Sequence, residues 1–212
     1  WHWHSLHNAI ETYWKGILSH DFQENDTYLE ACLIGKELKE AGSHLVNLKK
    51  KNQAAILVSN EALTAMKWFG LHRPCGEPVT YNDIVRWVYD VLYRLNVECD
   101  FLWPESENLA QYKMIVVPAL YAAPDDLLEK LERYVEAGGS LVATFKTAFA
   151  DENVKVSNEV QPRILKNCMG IRYHQFTIPE NEKLQGEIVE EGTEHRAEVF
   201  MELLIPDGAQ TL

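Results

Sequence analysis

The sequence predicts an α/β protein built on a doubly wound, mostly parallel sheet, and three observations support this class. Four short segments, at 54–58, 97–101, 114–117 and 141–145, have the length and composition of strands. Helical patterns lie between them, and single helices between strands indicate parallel pairing through right-handed crossovers. The strand segments are continuous apolar runs rather than alternating ones, which is typical of strands covered on both faces. This sheet is predicted for residues 52 to about 150.

Two helices are predicted between these strands. The first spans residues 80–95, and its inner face is predicted to carry Ile84, Val88, Val91, Leu92 and Leu95. Pro124 opens the second at a position where proline is tolerated, and Asp125 and Asp126 suit the positive end of the helix dipole. The glycine pair at 138–139 closes this helix.

A separate helix precedes the sheet. Thr27 and Glu30 have the spacing of a capping box. Apolar residues then recur at steps of three and four and share one face: Ala31, Ile34, Leu38, Ala41 and Leu45. The lysine run at 49–51 is typical of a solvated connector. We therefore predict a domain boundary here, between residues 1–50 and residues 51–212.

The pattern is weaker beyond residue 150. Residues 171–176 and 197–205 are predicted to be strands, and the acidic stretch at 187–194 between them is predicted to be a turn. The sequence contains neither an internal repeat nor a low-complexity tract.

Composition excludes some classes of partner. The formal net charge of −12 argues against nucleic acid, because phosphate binding needs clustered lysine and arginine. No apolar run has the length of a bilayer-spanning helix, so no membrane contact is predicted. The four cysteines form no C-x-x-C pair, which disfavours a zinc ribbon and favours a reduced, cytoplasmic protein. The absence of an initiator methionine suggests that the chain begins inside a larger protein.

The strand ends lack the motifs of nucleotide and serine-hydrolase chemistry. Residues 59–63, after the first strand, contain no glycine, so a dinucleotide loop and a nucleotide cofactor are not predicted. The sequence has no Gly-x-Ser-x-Gly elbow either.

The strand and helix order, with the Glu-Ala-Gly-Gly-Ser-Leu-Val-Ala segment at 136–143, resembles class I glutamine amidotransferase domains, which are flavodoxin-like. That group carries a nucleophilic cysteine on a sharp turn after a central strand. The corresponding turn here, residues 118–121, has no cysteine. The resemblance implies the same scaffold without its catalytic machinery. The missing cysteine counts against the alternative, a free-standing amidotransferase-like hydrolase.

The first fourteen residues are rich in indole and imidazole rings. Trp1, Trp3 and Trp14 occur here together with three histidines, His2, His4 and His7. Such rings line polar, ring-binding pockets, because they combine flat apolar faces with hydrogen-bonding edges. His-x-His on a strand projects both rings to one face, but no carboxylate or cysteine completes a metal shell. We therefore predict no metal, and assign the histidines to hydrogen bonds in a polar cleft.

Glu11 is the candidate binding residue of this segment. It lies within the aromatic cluster at residues 1–14. A carboxylate beside stacked rings holds sugars well, because the ring packs on the apolar sugar face and the carboxylate accepts from hydroxyl groups. The alternative is an ordinary glutamate in the first turn of a helix.

Residues 1–21 resemble the last barrel strand and following loop of β-galactosidases of glycoside hydrolase family 42. The resemblance continues at separate points along essentially the whole chain, at 43–52, 81–90, 96–101 and 117–124. It implies a larger enzyme with a catalytic (β/α)8 barrel, a middle amidotransferase-like domain that drives trimer formation, and a small C-terminal β domain. This chain would hold the end of the barrel, residues 1–50, and the middle domain, residues 51–212.

The resemblance also implies roles for individual residues. Retaining glycosidases use two glutamates, an acid/base and a nucleophile, and the family places both earlier in the barrel, outside this chain. The isolated chain is therefore expected to be inactive and to act as the trimerisation part of the enzyme. Glu11 matches a family glutamate that binds galactose. Many members have a histidine three residues later, where this sequence has Trp14, which is able to stack on the sugar.

Large apolar residues in one connection suggest a contact surface. The segment 60–73 contains Met66, Trp68 and Phe69 between the first strand and the next helix. Such residues either fold back as a small satellite core or meet a neighbouring subunit. We predict the second, with these three residues at the interface of a homotrimer.

Overall fold

The computed structural model describes residues 17–18, 21–179, 182–183 and 196–210. The chain divides into two compact units between Lys51 and Asn52. The first unit contains helix α1, Asp26–Leu45, none of whose residues is buried. Asn25 caps this helix, since its side-chain oxygen accepts a hydrogen bond from the Tyr28 backbone at 3.0 Å. The predicted capping box starting at Thr27 is therefore wrong, because the cap lies two residues earlier.

The second unit is a mixed α/β structure. Its principal elements are β1 (Ala54–Leu57), α2 (Asn60–Ala65), β2 (Leu71–His72), β3 (Pro78–Val79), α3 (Tyr81–Arg94), β4 (Cys99–Leu102), β5 (Met114–Val117), α4 (Asp125–Glu136), β6 (Ser140–Ala143) and α5 (Lys166–Met169). Short strands follow: β7 (Ile171–Arg172), β8 (Phe176–Thr177), β9 (Glu182–Lys183), β10 (Arg196–Ala197), β11 (Met201–Glu202) and β12 (Ile205–Pro206).

The central sheet has four strands in the order β4-β1-β5-β6, and every pair is parallel. The predicted parallel sheet is thus confirmed. The chain winds outward from β1 to β4 on one side and from β5 to β6 on the other, so the strand order reverses between β1 and β5. All four residues of β1 are buried, and the core continues through Ile115, Val117 and Leu131. β4 and β6 form the two margins of this sheet.

One connection of the sheet contains no α-helix. Between β4 and β5 the chain forms a single 3-10 turn, Leu109–Gln111. The two helices predicted between strands lie elsewhere, at 80–95 and after Pro124, so no predicted helix is missing here.

The two long helices of the second unit begin where the sequence indicates. Thr80 and Asp83 form a reciprocal capping box at the start of α3. Tyr81, Ile84 and Leu92 are buried along α3, but Val91 and Leu95 are mainly exposed, so their predicted place on the inner face is wrong. Pro124 caps α4 as predicted.

The end of α4 depends on close packing at a glycine. Gly138 turns the chain with a φ of 95°. A Cβ added at Gly139 would lie 2.2 Å from the Tyr134 ring, whose hydroxyl donates to the Tyr112 carbonyl at 3.1 Å. Only glycine therefore allows the chain to pass so close to this buried ring.

The predicted strands of the tail are broken into shorter pieces. β7 pairs with β12, β8 with β11 and β9 with β10, all antiparallel. The predicted turn at 187–194 lies outside the described residues. Within the part of the chain that the structure describes, no helix is both long and apolar enough to cross a membrane.

Candidate functional site at the carboxyl end of the sheet

A strained turn follows the central strand β5. Ala119 has a φ of 35°, and its N–H donates to the Thr144 hydroxyl at 2.8 Å. Tyr121 closes the turn by donating its N–H to the Ala119 carbonyl at 2.6 Å. A positive φ is costly for a residue with a Cβ and is frequent at functional turns. The side chain at this turn is the methyl group of Ala119, and it is buried.

Aromatic rings fill the space beside this turn. The aromatic cluster consists of Phe69, Tyr121, Phe149, Phe176 and Phe200. The centroids of rings in contact within this cluster lie between 5.1 and 6.3 Å apart. Phe176 and Phe200 come from the antiparallel tail, so the tail covers this side of the turn.

Lys146, just after β6, is buried inside this cluster. Its Nζ donates to the Phe69 carbonyl at 2.8 Å and lies 3.4 Å from the centroid of the Phe69 ring. The Tyr121 and Phe200 rings lie 4.8 and 5.4 Å from the same atom. Cation–π attraction and the carbonyl stabilise the ammonium. Burial nevertheless lowers the pKa of Lys146 to about 7, while the Glu202 carboxylate opposes this shift.

The Glu202 carboxylate is held by the backbone of Lys146. The Lys146 N–H donates to Glu202 Oε1 at 2.7 Å. Burial raises the pKa of the Glu202 carboxyl group, and the hydrogen bond from Lys146 limits this rise. Nothing in the local pattern around Lys146 indicates burial, so sequence reasoning missed this pair. The one available signal was that Lys146 follows a predicted strand.

Polar groups at the end of β1 form hydrogen bonds that stabilise the start of α2 and its contact with α3. The Ser59 hydroxyl accepts from the Ala62 N–H at 3.1 Å and so caps α2. It also donates to Glu61 Oε2 at 2.9 Å. The Ser59 N–H donates to the Tyr81 hydroxyl at 3.1 Å, and burial raises the pKa of Tyr81 to about 12. These bonds occupy the hydroxyl of Ser59 within the first turn of α2, so Ser59 and Glu61 both serve the start of this helix.

A cleft of about 360 Å³ opens at the reversal point of the strand order, where doubly wound sheets bind ligands. Its lining includes Ser59, Glu105, Asp126 and Lys130, and the Lys130 ammonium donates to the Pro104 carbonyl at 3.1 Å. Over the described ranges, no group of three or more histidine, cysteine, aspartate or glutamate side chains could hold a metal ion.

The predicted site residues have different outcomes. Glu11 and Trp14, with the three histidines of the N-terminal segment, lie outside the described residues. Met66 is buried in the core, Phe69 belongs to the aromatic cluster, and Trp68 is 82% exposed. Met66 and Phe69 thus fold back onto their own chain, the alternative that the sequence left open. Of the three, Trp68 alone has a mainly exposed side chain, and its place at an interface stays a prediction.

These features define a class: a doubly wound α/β domain that has no catalytic constellation among its described residues. The sequence model of one family, described as the β-galactosidase trimerisation domain, matches residues 52–212. The chain belongs to this family.

Curated relatives of this chain are named β-galactosidases and are longer proteins. The β-galactosidase BgaA of Clostridium cellulovorans is 28% identical over 211 residues, which are 99% of this chain and 31% of the relative. The β-galactosidase Pbg of Clostridium perfringens is 32% identical over 217 residues, again 99% of this chain and 31% of the relative. The chain therefore spans about a third of the length of these relatives.

Solved structures share the fold. A β-galactosidase from Bacillus circulans sp. alkalophilus superposes with a TM-score of 0.81 at 24% identity, over 96% of this chain and 30% of that structure. Gan42B, a GH42 β-galactosidase from G. stearothermophilus, gives a TM-score of 0.84 at 18% identity, over 98% of this chain and 30% of that structure.

Proposed function

We propose that this chain is the assembly part of a larger, retaining β-galactosidase that hydrolyses terminal β-D-galactosides, and that residues 52–212 hold three copies together. The observation that carries the proposal is the family match over these residues. The relatives are named β-galactosidases, and the chain spans only about a third of their length. On this proposal the catalytic glutamates belong to the remainder of the enzyme, and the isolated chain is inactive.

We further propose that residues 1–50 complete a (β/α)8 barrel. Helix α1 supports this, because Ile34 and Leu38 of its apolar face are at least half exposed. An amphipathic helix of this kind needs a surface on which to bury its apolar face.

The finer fold class is also a proposal. The four parallel strands follow the order 2-1-3-4 in chain sequence, which is the beginning of the flavodoxin-like order. The positive φ of Ala119 at the turn after β5 further supports an amidotransferase-like scaffold. The rings that fill the space beside this turn, and the alanine at the turn itself, disfavour the rival function, a free-standing amidotransferase-like hydrolase.

A reducing, cytoplasmic location fits the cysteines. Two of the four cysteines, Cys32 and Cys75, are exposed free thiols. Exposed thiols persist where glutathione and thioredoxin keep them reduced.

Trp68 is the proposed contact residue of the trimer. We expect Trp68→Ser to shift the chain from trimer to monomer, because a buried tryptophan is a frequent anchor of interface energy. The mass in solution, measured by light scattering on a sizing column, reports the change. Lys67→Ser alters the neighbouring exposed residue and serves as the control that stays trimeric. A trimeric Trp68→Ser protein would remove Trp68 from the interface.

Glu11 and Trp14 remain proposed galactose contacts of the complete enzyme. We expect Glu11→Gln in the full-length enzyme to weaken galactose binding by about tenfold or more, since a charged hydrogen-bond acceptor is lost. Titration calorimetry with galactose measures the affinity. An unchanged affinity would exclude Glu11 from the sugar site.

A further inference from the structure

A cavity of about 290 Å³ lies between the end of β6 and the antiparallel tail. We name it the tail cavity. The residues that decide its chemistry are Phe145, Met169, Tyr173, Phe200, Met201 and Glu202. Two of these side chains carry polar groups at their ends and four are apolar. The tail cavity therefore combines a few hydrogen-bonding groups with an apolar wall, as small-molecule sites do.

The Tyr173 side chain is buried with an unused hydroxyl group. Tyr173 is 3% exposed, and its hydroxyl has no hydrogen-bond partner within the described part of the chain. The backbone fixes the residue, because the Tyr173 N–H donates to the Gln161 carbonyl at 3.0 Å. Buried hydroxyl groups are nearly always hydrogen-bonded, since an unpaired one is unfavourable. This hydroxyl is therefore a group that a ligand can satisfy.

The Glu202 carboxyl group lies beside this hydroxyl. Burial raises the pKa of Tyr173, and the charge of Glu202 raises it further, yet the two groups lack the distance or the angle of a hydrogen bond. The Lys146 N–H donates to Glu202 Oε1 at 2.7 Å and so holds the carboxyl group in place. The tail cavity thus presents a hydroxyl donor and a carboxylate acceptor that are neighbours without being bonded to each other.

The two threonines that line the tail cavity are already hydrogen-bonded. The Thr147 hydroxyl donates to the Thr144 carbonyl at 2.8 Å, and the Thr144 hydroxyl accepts from the Ala119 N–H at 2.8 Å. The apolar wall includes the Phe145 and Phe200 rings, whose centroids lie 5.8 Å apart. A ligand in the tail cavity therefore meets one polar pair and a surface of aromatic rings.

A hydroxyl group is the ligand group that suits Tyr173 and Glu202 together. It accepts from the phenol and donates to the carboxylate at the same time, whereas an ammonium group only donates. The Lys146 ammonium already lowers the pKa of Glu202 by its charge, so a second cation beside this carboxylate is disfavoured. Aromatic faces such as those of Phe145 and Phe200 accept the apolar C–H groups of a polyol.

We propose that the tail cavity binds a small, neutral polyol and that Tyr173 and Glu202 hold one hydroxyl group of this ligand. The class includes glycerol, inositols and monosaccharides. The proposal gives a ligand site to a domain for which the family match indicates assembly alone. It does not depend on the proposed trimerisation.

Methionine methyl groups report binding in the tail cavity. The chain has four methionines. Met169 and Met201 line the tail cavity, whereas Met66 lies in the core and Met114 in β5. The chain with isotope-labelled methionine methyl groups is titrated with glycerol, myo-inositol and galactose and followed by NMR. With at least one of these polyols, we expect the Met169 and Met201 signals to shift until they saturate, while the Met66 and Met114 signals stay in place.

Tyr173→Phe removes the hydroxyl and keeps the ring. We expect it to weaken polyol binding by about fivefold, because one hydrogen bond to the ligand is lost. Without polyol, the urea midpoint of this variant is expected to be unchanged or higher, since an unpaired buried hydroxyl is removed. Tyr134→Phe is the matched control. Its hydroxyl donates to the Tyr112 carbonyl at 3.1 Å, so we expect a lower urea midpoint and an unchanged polyol affinity.

The outcomes decide the proposal on this chain whatever its mass in solution, so a failure here leaves the proposed trimerisation untouched. Met169 and Met201 signals that shift with none of the three polyols, or shifts that are equal at all four methionines, would overturn the site. An unchanged polyol affinity in Tyr173→Phe would overturn the role of the hydroxyl. Tighter saturation by ethylammonium than by any polyol would overturn the neutral class of ligand.

Discussion

Replacing Arg163 with methionine is expected to lower the free energy of unfolding by about 3 kcal/mol. The Arg163 side chain is 4% exposed, and Nη1 donates to the carbonyls of Ala123 and Ala150 at 3.1 and 3.0 Å. Nη2 forms an ion pair with Asp125 in the first turn of α4. Methionine keeps much of the volume but removes these donors. The buried carbonyl of Ala123 then loses the donor that Arg163 supplies.

Most of this effect comes from the carbonyl contacts, because Asp125 is 64% exposed and its ion pair is screened by water. Urea denaturation of the wild type and the variant measures the difference. Arg133→Met is the matched control, since Arg133 is 63% exposed and pairs with Glu129 on the surface of α4. We expect the control to change stability by less than about 0.5 kcal/mol. A loss below about 1 kcal/mol for Arg163→Met would show that these contacts contribute little.

Lys146→Met is expected to change the pH dependence of stability. Burial lowers the pKa of Lys146 in the folded protein to about 7, from an ordinary value of 10.5. Between these values the unfolded chain binds a proton that the folded chain does not. The free energy of unfolding therefore rises with pH in this window, by at most about 1.4 kcal/mol per pH unit. The methionine variant loses this rise, so the wild type gains stability relative to it from about pH 7 to pH 10.

The other groups around Lys146 do not produce this difference. Burial raises the pKa of Tyr121 and Tyr173, so both hydroxyls stay protonated in this window. Glu202 is present in both proteins. Lys130→Met removes another ammonium that donates to a backbone carbonyl and is the matched control for the loss of a lysine. Parallel curves for the wild type and Lys146→Met would mean that the buried lysine has an ordinary affinity for protons.

Local patterns in the sequence predict most of the central sheet. β5 occupies the predicted residues, and β1 ends one residue before its predicted end. Both strands are predictable because continuous apolar runs mark strands that are covered on both faces. Thr80 fixes the start of α3 through bonds within one turn. The start of α1 was predicted wrongly, since Thr27 and Asn25 both satisfy the local rules for a cap and only the backbone geometry distinguishes them.

The candidate site depends on contacts that local patterns do not contain. Lys146 is buried by rings from Phe69 and Phe200, which are far from it in the chain. The sequence predicts one common place, a subunit interface, for Met66, Trp68 and Phe69. Which rings turn inward is decided by distant partners such as Tyr121, so the sequence alone could not separate Phe69 from Trp68. The turn at Ala119 could be located from the sequence, because it directly follows the apolar run of β5.

The mass of this chain in solution tests the central claim most directly. Light scattering on a sizing column, over a range of protein concentrations, gives the mass without reference to shape. We expect a trimer with three times the chain mass of 24.4 kDa. A species of 24.4 kDa at every concentration would contradict it, because residues 52–212 would then be unable to assemble without the remainder of the enzyme.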